Sequence, residues 1–115
     1  MNSSELNERF FKWTNAVLDI IATLPKSKTN DVISYQLTKS STSAGANYRA
    51  ACRPKSRNDM INKLKIVEEE LDESMYWLEL IKHREPQINI ESTYNEANEL
   101  LSIIVASINT LKRKS

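Results

Sequence analysis

The chain is poor in the residues that build tight turns, metal sites and covalent cross-links: it holds one glycine, three prolines, one histidine and one cysteine in 115 residues. So little turn chemistry argues against a strand-rich fold. A single glycine cannot furnish a phosphate-cradling loop, whose amides turn toward an anion only where several glycines permit it. The lone histidine, His83, has no glutamate three residues before it, which excludes the paired Glu-x-x-His arrangement of di-iron bundles. With Cys52 as its only cysteine the chain can form no intrachain disulfide and no cysteine zinc site, and it fits a reducing compartment. No apolar run reaches the length of a signal-peptide core or a membrane span. These absences read as a soluble cytoplasmic chain with no membrane partner, no metal and no cofactor.

What is plentiful points to helix. Leu, Ile, Ala, Glu and Lys favour it, and a chain of this length supports one domain with one core. Leu6, Phe10, Trp13, Val17, Ile20 and Leu24 recur at steps of three or four and mark a first helix ending before Pro25. A second helix is expected from about Asn30 to Arg53, stopped by Pro54, with Ile33, Leu37, Ser40, Ala44, Asn47 and Ala51 facing inward. Ser56 followed by Asp59 resembles a capping box opening a third helix, whose stripe is Met60, Leu64, Val67, Leu71, Met75 and Leu78. That helix should stop near His83, Arg84 and Pro86. Thr93 with Glu96 is expected to cap a fourth, built on Ala97, Leu100, Leu101, Ile104, Ile108 and Leu111. The resulting fold class is all-α, an antiparallel up-down-up-down four-helix bundle occupying residues 1–115 as one domain.

Within helix two, residues 40–51 read SSTSAGANYRAA, small and polar where a buried helix should be greasy, with Gly45 at the centre. A mid-helix glycine costs about 1 kcal/mol relative to alanine, so packing or function is expected to offset it.

Charge is segregated. Lys26 to Lys65 carries nine Lys or Arg against two acids, a balance of +7, whereas Ile66 to Leu100 carries ten acids against two bases, a balance of −8. The candidate nucleic-acid-binding set is Lys39, Arg49, Arg53, Lys55, Arg57, Lys63 and Lys65, since cations at such density bind phosphate without reading sequence. The competing reading pairs Arg49 and its neighbours with Glu70 and Glu73 on the next helix or on another subunit.

A second constellation is apolar. Phe11, Leu18, Ile66, Trp77 and Leu80, with Glu70 and Glu73 among them, exceed what one bundle core should absorb and are the candidate oligomer interface. Catalysis has no support: Cys52 and His83 end different helices at opposite poles, and the Glu68 to Glu73 run reads as a solvated or ion-paired face.

QLTKSSTSAGANYRAA on helix two, SRNDMINKLKIVEEELDESMYWLELI on helix three and the LPKS turn at Leu24 to Ser27 together resemble the four-helix-bundle proteins encoded in intervening sequences of bacterial 23S ribosomal RNA genes. Ser43, Gly45, Ala46, Asn47, Tyr48 and Arg49, combined with Glu70, Asp72, Glu73, Tyr76, Trp77 and Leu78, carry the likeness. The resemblance implies a non-enzymatic bundle that assembles into a ring-like homopentamer. It is related to the accessory variability determinant of diversity-generating retroelements, a basic pentamer that binds nucleic acid and a reverse transcriptase. The partners so implied are RNA or DNA, with either a reverse transcriptase or a ribosome-associated protein; the alternative is a protein-interaction adaptor without nucleic acid. Two positions depart from the family pattern: Lys39 stands where arginine is usual and cannot form its bidentate fork, and Ala50 stands where glutamate often follows Tyr-Arg.

Overall fold

Four helices account for the fold in a computed structural model that describes residues 1–114: α1 (Ser3–Ala22), α2 (Lys28–Ala51), α3 (Arg57–Arg84) and α4 (Glu91–Arg113). Each packs only on its two neighbours around a square, so the chain runs up, down, up, down with α3 between α2 and α4. The bundle measures 48 × 23 × 20 Å. Short loops leave two poles: one collects the start of α1, the α2–α3 turn and the end of α4, and the other collects the α1–α2 and α3–α4 turns.

Caps set the boundaries. Asn2 and Glu5 form a reciprocal capping box on α1, the Glu5 amide donating to Asn2 Oδ1 at 2.9 Å and the Asn2 amide to Glu5 Oε1 at 3.3 Å. Ser27 accepts from the Asn30 amide at 3.0 Å, so α2 begins at Lys28, two residues before the expected start. Ser56 caps α3 by accepting from the Asp59 amide at 3.0 Å, but Asp59 returns its bond to the Lys55 amide rather than to Ser56. The expected Thr93 cap does not form. Helix α4 starts at Glu91, whose amide donates to Asn89 Oδ1, and Thr93 lies buried in its first turn.

The inward stripes of α1, α3 and α4 follow the three-and-four spacing, with Val17, Val67, Leu71, Leu78, Leu100 and Ile104 fully sealed from solvent. In α2 the inward position near the C-terminus belongs to Tyr48, not Asn47. Tyr48 stacks on Phe10 with centroids 5.0 Å apart, while Asn47 folds back to donate to the Ser43 carbonyl. The small stretch serves close approach: the Ser40 and Ser74 hydroxyls share a hydrogen bond of 2.8 Å across the buried α2–α3 seam. Helices α1 and α4 touch most thinly. Their edge is held by the Trp13 indole donating to the Thr93 carbonyl at 3.1 Å and by Arg9, which forks onto Glu96 at 2.6 and 2.9 Å and reaches Glu99 at 3.1 Å.

Candidate nucleic-acid interface

The end of α2, the turn that follows and the start of α3 lie at one pole, and they carry Arg53, Lys55 and Arg57, all exposed. Pro54 prevents α2 from continuing and Ser56 starts α3, so three cations fall within five residues of tightly turned chain. Among the described residues Arg53 and Arg57 form no ion pair, and the same holds for Lys39, Arg49 and Lys65. Cations left without carboxylates keep their full field toward solvent.

The remaining members of the basic set are placed differently. Lys63 is half-buried and spends its ammonium on Asp59 at 2.6 Å. Lys65 is exposed about 12 Å into α3, and Lys39 is exposed about 20 Å back along α2 from Arg53, at 1.5 Å rise per residue. Arg49 lies on the α1 side of α2, where it lines a groove with Asn7, Phe11, Thr42, Gly45 and Ala46. That orientation turns it away from α3, and among the described residues it makes no pair with Glu70 or Glu73.

The fold adds cations that sequence spacing did not group with these. Antiparallel packing brings the end of α4, with Lys112, Arg113 and Lys114, to the pole of the α2–α3 turn although about fifty residues separate them in the chain. The acids near that pole are engaged: Glu5 in the α1 capping box, Glu8 with Lys12 at 3.2 Å, and Asp59 with Lys63. Asp59 is held below the usual 3.8 first by the Lys63 ammonium and then by the Lys55 amide. A depressed carboxyl stabilises the fold while ionised, and that contribution is lost as pH falls through its folded value. Asp59→Asn is therefore expected to flatten the fall in melting temperature between about pH 5 and pH 3, measured by circular dichroism.

The apolar set forms two separate edges on either flank of α2. Phe11, 72% exposed, and half-buried Leu18 border the α1–α2 groove. On α3, Glu70 and Trp77 share a stripe with Ser74, which faces α2, so Ile66, Glu70, Glu73, Trp77 and Leu80 form a ridge along the outside of the α2–α3 seam. The Trp77 indole donates to Glu73 at 3.1 Å, and Tyr76 meets Trp77 edge to face. Val32, Tyr35 and Tyr76 are also exposed, at 58%, 65% and 55%. Their signal in the sequence was their position on the outer face of α2 and α3, off every inward stripe.

Cys52 is half-buried, receives a long contact from the Asn7 amide at 3.6 Å and neighbours Tyr48, whose hydroxyl is pushed well above its usual range by burial and then by Cys52. It closes α2 at one pole while His83 ends α3 at the other, about 40 Å away along a helix of 28 residues. The described residues contain no cluster of His, Cys, Asp and Glu able to hold a metal, and no described helix is long and apolar enough to cross a membrane.

The family model for the 23S rRNA-intervening sequence protein matches residues 3–106, nearly the entire bundle. The chain belongs to that family. A crystal structure of a protein of unknown function from the S23 ribosomal protein family of Bacteroides thetaiotaomicron VPI-5482 is 31% identical, with a TM-score of 0.82 over 95% of this chain and 99% of that one. No protein with a curated description matches the sequence. The likeness spans both chains almost end to end, so the four-helix bundle is the fold that this member of the intervening-sequence family shares with that structure. Neither family description names an enzymatic activity.

Proposed function

We propose that the chain is a non-enzymatic bundle subunit that self-associates and holds RNA or DNA against the pole bearing Arg53, Lys55 and Arg57, with Lys112, Arg113 and Lys114 beside them. The observation that carries this reading is the segregation of charge along the bundle: Arg53 and Arg57, without ion-pair partners among the described residues, sit at one pole while the carboxylates nearest them are already engaged. Such a surface attracts polyphosphate through counterion release and does not select sequence. Lys39 and Lys65 extend the basic surface away from the pole. The family resemblance supports a homopentamer, which would repeat the pole around a rim and multiply weak phosphate contacts.

Fluorescence anisotropy with a labelled structured RNA and a labelled single-stranded DNA, across about 50 to 200 mM salt, tests the reading. Binding is expected at low salt, weakening as salt rises with a log–log slope near about −0.9 for each phosphate neutralised on duplex and about −0.7 on single strands. No binding at low salt, or binding indifferent to salt, contradicts it.

A protein adaptor is the second reading, and exposed Val32, Tyr35 and Tyr76 favour it, because apolar side chains on an outer face suit a protein partner such as a reverse transcriptase or a ribosome-associated protein. A partner captured from extract that stays bound after nuclease treatment distinguishes it from nucleic-acid binding.

A further inference from the structure

The glycine in α2 has no structural cause inside the protomer. Gly45 does not adopt a positive φ, and a Cβ placed on it would stand 3.4 Å from Thr14 Oγ1 and 3.9 Å from Phe10 Cβ, ordinary contact distances. Alanine would fit and would recover about 1 kcal/mol of helix propensity. What glycine provides instead is an open floor in the α1–α2 groove, a depression of about 390 Å³ bordered by Phe11, Leu18, Thr14, Ala46 and Arg49. The groove is largely apolar, its Phe11 ring is 72% exposed, and the charge lining it is the Arg49 guanidinium, which no carboxylate among the described residues of the protomer meets.

The same molecule presents the matching shape and sign. The α3 ridge is apolar at Ile66, Trp77 and Leu80 and acidic at Glu70 and Glu73. Among the described residues the Glu70 carboxylate has no ion pair or hydrogen bond, and Glu73 accepts only from the Trp77 indole. Groove and ridge lie on opposite flanks of α2, so neither can reach the other within one chain. A raised ridge carrying unpaired acid fits a depression carrying unpaired base, and both lose exposed apolar surface when they meet.

We propose that the α1–α2 groove of one copy seats the α3 ridge of a second copy, with Arg49 meeting Glu70 and Glu73 across the contact and Gly45 leaving room for the ridge side chains. This deepens the proposed function and rests on its reading that the chain self-associates. A seat built from two different surfaces leaves each protomer with one of each to offer, and its charge pair can be reversed from either side.

Sedimentation velocity at micromolar protein tests the seat with wild type, Arg49→Glu, Glu70→Arg and an equimolar mixture of the two variants. Circular dichroism confirms that each is folded, which is expected because both side chains lie outside the core. Wild type should sediment as an assembly. Each single variant should shift toward the 13.2 kDa protomer, with its association weakened at least about tenfold. The mixture should regain association beyond the protomer, since the carboxylate introduced at position 49 of one variant then faces the guanidinium introduced at position 70 of the other, and the native pair forms at the next contact. A ring of five keeps one like-charged contact, so the mixture is compared with the single variants and not with the wild-type mass.

Wild type sedimenting as a protomer overturns both the seat and the self-association beneath it. An assembly untouched by either reversal, or a mixture that stays dissociated, overturns the seat alone. Arg49→Glu that keeps its mass but loses RNA binding also overturns the seat and assigns the groove to nucleic acid.

Discussion

Leu71→Ala is expected to lower the stability of the bundle by about 3 kcal/mol, in the lower part of the range for emptying a sealed leucine site. Leu71 has no solvent exposure and sits midway along α3, the helix that packs on both α2 and α4. Alanine there forfeits the transfer energy of the lost carbons and leaves a cavity that rigid helices on two sides cannot collapse into. For a domain of this size the melting temperature should fall by about 12 °C, followed by circular dichroism in the helical band. A fall under about 3 °C would mean that the helices close over the gap or that α3 is packed less tightly than its burial indicates. The exposed neighbour Asp72, replaced by alanine, should move the midpoint by less than about 2 °C and serves as the control.

The second large effect concerns the basic pole. Arg53→Glu combined with Arg57→Glu replaces two exposed, unpaired guanidinium groups by carboxylates and makes one turn more negative by four units of charge. Affinity for the labelled RNA at about 100 mM salt is expected to fall at least about tenfold, and the salt slope to shrink by about two, roughly one per lost phosphate contact. Stability should stay within about 0.5 kcal/mol of wild type, because neither side chain is buried or hydrogen-bonded. A Lys63→Glu variant offers a contrast, since its ammonium is spent on Asp59: it should disturb the start of α3 more than it disturbs binding. Equal loss of affinity for Lys63→Glu and for the double variant would show that placement at the pole does not matter.

The bundle was legible in the sequence because an apolar residue every three or four positions is the direct imprint of a helix with one buried side, and Pro25, Pro54 and Pro86 punctuate it. Boundaries were less so where capping depends on geometry. Thr93 and Glu96 carry the letters of a capping box, yet the chain enters α4 three residues sooner, an entry that buries Ile90 and Thr93 and leaves the Thr93 carbonyl to accept from the Trp13 indole of α1. Tyr48 displaced Asn47 from the inward stripe for a related reason. Its ring gains stacking on Phe10, a contact made across helices and invisible to periodicity on one helix.

The candidate site was visible only in part. Charge along the chain marked Arg53, Lys55 and Arg57 because they are adjacent, whereas Lys112, Arg113 and Lys114 join them through topology alone. Which cations are already committed could not be read from spacing: Lys63 finds Asp59 one turn earlier, while Arg49 points into the α1–α2 groove and misses the acids of α3 entirely. The cost of Gly45 was apparent at once, but its meaning required the room that Thr14 and Phe10 leave beside it.

The placement of nucleic acid at the basic pole is tested most directly by photocrosslinking. A benzophenone amino acid installed at Asn58, exposed in the first turn of α3, is compared with one at Ser92, exposed in the first turn of α4 at the far pole. With labelled RNA at about 50 mM salt, where phosphate contacts are strong, the account predicts a strong adduct from position 58 and at most a trace from position 92. Equal adducts from both, or an adduct from position 92 alone, would contradict it.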